Sequence, residues 1–123
     1  MTTKLIFNDK IVPLKKKLFY EGGTRLRKKN TKNTRPLFSI ITVVFNNEKY
    51  LEETILSVLK QSYKNFEYII VDGGSTDKTL EIIKKYNNKI DYWVSEKDKG
   101  IYDAFNKGMS LCRGNFIGII NSD

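Results

Sequence analysis

The chain has 123 residues, 40% apolar and 12% aromatic, enough to bury one core but too few for two ordinary domains. One cysteine and no histidine exclude an internal disulfide, the usual Cys/His zinc clusters and any Ser-His-Asp or Cys-His nucleophile system within this stretch. The net charge of +8 is segregated: residues 1–36 carry 11 basic and 2 acidic side chains, net +9, whereas residues 37–123 carry 11 basic and 12 acidic, net −1.

In the basic segment two short apolar runs flank the turn-prone Asn8-Asp9-Lys10, and Lys17-Leu18-Phe19-Tyr20 runs into Glu21-Gly22-Gly23-Thr24. Both patterns predict small hairpins. Residues 25–36, RLRKKNTKNTRP, have almost no apolar content and end in Pro36, so they read as a solvated linker. The expected division is therefore a basic N-terminal arm and linker over 1–36 and a globular part over 37–123.

From Leu37 onward apolar runs alternate with amphipathic segments. Phe38 to Phe45 is β-branched and nearly all apolar, as in a strand buried on both faces. Glu48 to Ser62 sets Leu51, Ile55, Val58 and Leu59 on one helical face, with acidic residues first and Lys60 near its end. Phe66 to Val71 predicts a second strand. Asp77 to Tyr86 predicts a second helix with Ser75 or Thr76 as its N-cap. Asp91 to Val94 predicts a short third strand, Ile101, Phe105, Met109 and Cys112 mark one face of a third helix, and Phe116 to Ile120 predicts a fourth strand. This alternation defines an α/β fold: a Rossmann-like parallel sheet with right-handed helical crossovers.

Ligands of such sheets bind beyond the carboxyl ends of the strands. The polar residues expected there are Asn46 and Asn47, Asp72, Glu96 to Gly100, and Asn121 to Asp123. Asp72 precedes Gly73-Gly74, so its carboxylate has two readings: an acceptor for a base N–H or ribose hydroxyl, or the start of an Asx-type turn capping the next helix. Asp123 offers a hard oxygen ligand for Mg²⁺ or Mn²⁺ against a diphosphate. Asp103 either faces a ligand or caps the third helix. Trp93 and the tyrosines read as core or pocket wall, and Cys112 as a small core residue.

Five blocks carry a resemblance. They are SIITVVFNNEKYL (39–51), LSVLKQS (56–62), VDGGSTD (71–77), SEKDKGIYDAFNKG (95–108) and GNFIGIINSD (114–123). In this order they resemble the nucleotide-binding half of the family 2 glycosyltransferases, which have the GT-A fold. The resemblance implies that Thr42, Val43, Val44 and Phe45, followed by Asn46, line the nucleobase and ribose pocket. It gives Asp72 and Gly73 the base of a nucleotide-sugar donor, and Asp98 the ribose or sugar. Gly100, Ala104 and Asn106 shape the helix start beside the diphosphate. Asp123 falls on the last aspartate of the DxD-type motif, as ligand to a divalent cation, Mn²⁺ or Mg²⁺, while Asn121 replaces its first aspartate.

The implied reaction is inverting transfer from a nucleotide-diphosphate sugar, a UDP-sugar among the candidates, to a saccharide or lipid-linked acceptor in cell-surface polysaccharide or glycolipid assembly. The catalytic base is expected beyond Asp123, which makes this chain the donor-binding part and an incomplete enzyme. The alternatives are an inactive truncated remnant, or an anionic-surface or nucleic-acid-binding module built on residues 1–36. That segment carries no recognisable nucleic-acid motif. Without an apolar run long enough to span a bilayer or to form a secretory signal, the expected setting is cytoplasmic, with the arm holding the protein at the inner membrane surface.

Overall fold

A computed structural model describes residues 4–7, 10–13, 19–27 and 36–122. Strands β1 (Lys4–Phe7) and β2 (Lys10–Pro13) pair antiparallel with Phe7 opposite Lys10, as the first predicted hairpin requires. The remaining strands are β3 (Phe19–Gly22), β4 (Phe38–Val44), β5 (Phe66–Asp72), β6 (Tyr92–Glu96) and β7 (Phe116–Ile119). They form one sheet in the order β3-β6-β5-β4-β7. Strands β4 to β7 are parallel, and β3 adds antiparallel to the edge of β6.

Helices α1 (Leu51–Leu59), α2 (Thr79–Lys85) and α3 (Ile101–Leu111) fill the crossovers. Successive residues of β5 point to opposite faces, and both faces are covered. Tyr68 and Ile70 meet Leu51, Ile55, Val58 and Ile83 from α1 and α2, while Ile69 and Val71 meet Ala104 of α3. Such two-sided cover explains why the strands read as continuous apolar runs instead of alternating ones.

Three differences from the sequence reading have physical causes. The second predicted hairpin does not form. Phe19–Gly22 instead pairs with β6, Tyr20 opposite Ser95 and Gly22 opposite Trp93, so this part of the predicted arm belongs to the globular sheet. Arg25, read as the start of a solvated linker, is drawn in with it. Its guanidinium pairs with Glu67, donates to the Leu111 carbonyl at 2.9 Å and lies 5.4 Å from the centre of the Tyr92 ring. Glu67 also accepts from the Ser39 hydroxyl and the Arg113 N–H, so both charges are satisfied where water is scarce.

The inward face of α3 is also different. Ala104 and Gly108 are buried there, with Leu111 and Cys112 at its margin, whereas Ile101 and Met109 are largely exposed. Small residues win because the helix lies close to the sheet: a Cβ on Gly108 would stand 2.8 Å from Ile41 Cγ2. Finally, α2 starts at Thr79, and its first turn is capped by neither Ser75 nor Thr76. The Asp77 carboxylate accepts from Thr79 N–H at 2.9 Å.

Candidate functional site

The carboxyl ends of β4, β5 and β6 open into a cleft of about 820 Å³. Val43, Val44 and Phe45 form one wall, the turn Gly73 to Thr76 forms the floor, and Lys97, Asp98, Gly100 and Ile101 close the far side. Tyr20 of β3 also reaches it. Sequence reasoning missed Tyr20 because nothing local in Lys17–Gly23 says which strand it will join.

Thr42 does not line the cleft. It is buried, with its hydroxyl 2.8 Å from the Tyr68 hydroxyl inside the core. Burial pushes the Tyr68 phenol up to about 12, against the smaller opposing pull of that hydrogen bond. Phe45, at the tip of β4, is 62% exposed and free to meet a ligand.

Asp72 ends β5 as expected, but its carboxylate lies fully buried under the cleft floor. One oxygen accepts from the Ser75 hydroxyl. The other accepts from Ser75 N–H at 3.1 Å and from the Ser95 hydroxyl at 2.6 Å. Asp72 therefore braces the turn three residues on without capping α2, and it ties the β5–α2 turn to β6. Asp72 has no exposed surface, so a direct contact with a ligand requires the turn above it to move.

Gly73 lines the cleft without a side chain. A Cβ there would stand 2.7 Å from Asp98 Oδ2, so a side chain at this position would push that carboxylate aside. Asp98 is half-exposed on the far wall, and its other oxygen accepts from Gly100 N–H at 3.0 Å. Asp103 accepts from Lys99 N–H at 3.0 Å and so braces the loop that leads into α3. Ala104 faces the core, and Asn106 is exposed further along α3.

Asn46 holds a left-handed backbone, φ 46°, and turns its side chain away from the cleft. Its Oδ1 accepts from Thr76 N–H at 2.7 Å and Asp77 N–H at 3.3 Å, and its own N–H donates to the Ser75 hydroxyl at 2.8 Å. Asn47 does comparable work on the other side, its Nδ2 donating to the Ser122 carbonyl and hydroxyl at 3.0 and 3.1 Å. Burial pulls the Asp77 carboxyl upward, but hydrogen bonds from Thr79 and from Glu48 N–H outweigh it and hold Asp77 below the usual carboxylate value. These loop-to-loop bonds were not anticipated. The available signal was the density of Asn, Ser and Thr at the strand ends.

Asn121 is exposed beyond β7, and Asp123 lies outside the described residues. Among the described residues no group of three or more Asp, Glu, His or Cys side chains could hold a metal ion, so these residues do not by themselves form a metal centre. No described helix is long and apolar enough to cross a membrane.

A parallel sheet covered by helices on both faces, with a glycine-floored cleft at its carboxyl edge, has the architecture of nucleotide-binding α/β proteins, here of the GT-A type. Residues 39–123 match the profile of glycosyl transferase family 2, and the chain belongs to that family. An uncharacterized glycosyltransferase of Haemophilus influenzae is 42% identical over 91 residues, covering 72% of this chain and 36% of the relative. A putative teichuronic acid biosynthesis glycosyltransferase, TuaG of Bacillus subtilis, is 39% identical over 95 residues, 74% of this chain and 37% of the relative. The chain thus spans little more than a third of these curated relatives.

Among solved structures, S. aureus TarS 1-349 in complex with UDP-GlcNAc superposes with a TM-score of 0.61 at 34% identity, over 70% of this chain and 26% of that one. The mannosyltransferase PcManGT of Pyrobaculum calidifontis, solved with GDP-Man and Mn²⁺, shares the fold at a TM-score of 0.66 and 23% identity, over 74% of this chain and 28% of that one.

Proposed function

We propose that this chain is the donor-binding part of a glycosyltransferase. It would move a sugar from a nucleotide-diphosphate donor, a UDP-sugar in the leading form, to a saccharide or lipid-linked acceptor with inversion, in cell-surface polysaccharide or glycolipid assembly. The observation that carries this reading is the cleft whose floor is Gly73-Gly74 and whose walls are Val43 to Phe45 and Asp98, in a chain similar to a protein solved with UDP-GlcNAc.

In this reading the exposed Phe45 ring packs against the nucleotide, Asp98 accepts hydroxyl hydrogens of the ribose or sugar, and the backbone of Gly73 and Gly74 admits the ligand to van der Waals distance. Asp123 would lend its carboxylate to a divalent cation, Mn²⁺ or Mg²⁺, which when bound neutralises charge on the departing nucleoside diphosphate. The base that deprotonates the acceptor is not assigned to any residue of this chain. The basic side chains of residues 1–36 would hold the protein against the anionic inner face of the membrane.

Calorimetric titration of UDP, GDP and TDP, with and without Mn²⁺, tests the reading. Asp98→Ala is the informative variant, since among its bonds described above it costs only the contact to Gly100 N–H; Asp72→Ala would confound binding with folding. Metal-enhanced binding of one nucleotide, weakened about tenfold or more by Asp98→Ala, is the expected result. Absence of binding by the folded chain would overturn it.

A further inference from the structure

The sheet places four residues in one row across its carboxyl end: Val44 on β4, Asp72 on β5, Ser95 on β6 and Tyr20 on β3. Partners in a row share a face of the sheet, and the Ser95 bond to Asp72 shows this one does. Tyr20 ends the row. It lines the cleft, is 43% exposed, and has Lys84 Nζ 5.1 Å from its ring centre. Tyr20 also lies outside residues 39–123, the stretch matched by the family profile.

We propose that Tyr20 is a specificity-determining wall of the donor cleft and stacks on the nucleobase. The inference rests on the donor-binding reading above. Sheet order supplies the direction. Asn121 follows β7 at one edge, and β3 forms the other, four strand spacings or about 19 Å away. A nucleotide whose diphosphate lies toward Asn121 carries its base toward β6 and β3, where Tyr20 presents a flat, half-exposed π-face. Every base offers such a face, so stacking supplies affinity, while the phenol hydroxyl at the ring's edge is placed to distinguish the polar rims of different bases.

The test uses the full chain and four ligands: UDP, GDP, uridine and inorganic pyrophosphate. Tyr20→Ala is expected to weaken UDP and uridine about tenfold and leave pyrophosphate unchanged, while Tyr20→Phe keeps UDP binding and shifts the ratio between UDP and GDP. NMR of the UDP complex is expected to show contacts between Tyr20 ring protons and uracil H5 and H6. This spectrum uses the unaltered protein, so it decides the matter even where Tyr20→Ala loosens β3. Equal UDP affinity in folded Tyr20→Ala, or a complex without those contacts, overturns the role of Tyr20 and leaves the donor reading intact. If the unaltered chain binds no nucleotide, the donor reading falls and the stacking role falls with it.

Discussion

Arg25 and Glu67, 42 residues apart, form an ion pair of which only 14% and 6% of the side-chain surface is exposed. Removing one partner from a buried pair leaves the other charge uncompensated. Arg25→Ala is therefore expected to cost about 3–5 kcal/mol, read from urea unfolding. Glu67→Gln should cost a comparable amount, since an amide that still accepts from Ser39 and Arg113 N–H turns its NH2 toward the Arg25 guanidinium. A change in Arg25→Ala of under about 0.5 kcal/mol, the size expected of a surface site, would return residue 25 to a solvated linker.

The pair also marks where sequence reasoning ended. Strands β4 to β7 and the three helices were legible because each carries its own period and bounded apolar run. Strand β3 has four residues and finds its partner 71 to 77 positions later, a relationship no local pattern encodes. The face of α3 was misassigned for a related reason. Its large apolar residues suggested one stripe, but the distance of the helix from Ile41 selects Ala104 and Gly108. At the site, the residue type at the end of β5 was readable. That Ser75 and Ser95 would occupy the Asp72 carboxylate was not, because Ser95 arrives from another strand.

Gly108 offers a second test. Alanine there gains about 0.8–1.0 kcal/mol of helix propensity, but its methyl meets the buried, β-branched Ile41 at 2.8 Å. Overpacking costs about 1–3 kcal/mol, so Gly108→Ala should be net destabilising, whereas alanine at an open helical glycine would stabilise. Thermal unfolding decides the sign.

Asn46 predicts an ordering of variants. Its left-handed backbone disfavours alanine, and its side chain accepts from two backbone N–H groups. Asn46→Ala loses both advantages, about 2 kcal/mol. Asn46→Gly keeps the backbone at ease and should lose about half as much. If glycine proved the worse substitute in denaturant titration, the backbone argument would fail.

Alkaline pH should weaken the fold through Tyr68. Burial raises its phenol from 10.0 to about 12, so its contribution is complete below pH 10 and is lost as pH rises from 10 toward 12, where the unfolded chain ionises first. The loss is on the order of 2–3 kcal/mol. Tyr92, raised to about 12 by burial and then by its hydrogen bond to Glu21, acts in the same direction. Melting temperatures between pH 8 and 12 should fall less steeply in Tyr68→Phe than in the unaltered chain.

The docking of β3 and Arg25 bears on the order in which the molecule assembles. Arg25 contacts Leu111, 86 residues further along, and Gly22 meets Trp93. A ribosome makes this segment long before any of its partners, so it must wait until β6 and α3 have been made. The Tyr20 wall of the cleft can therefore be completed only after β6 has been made.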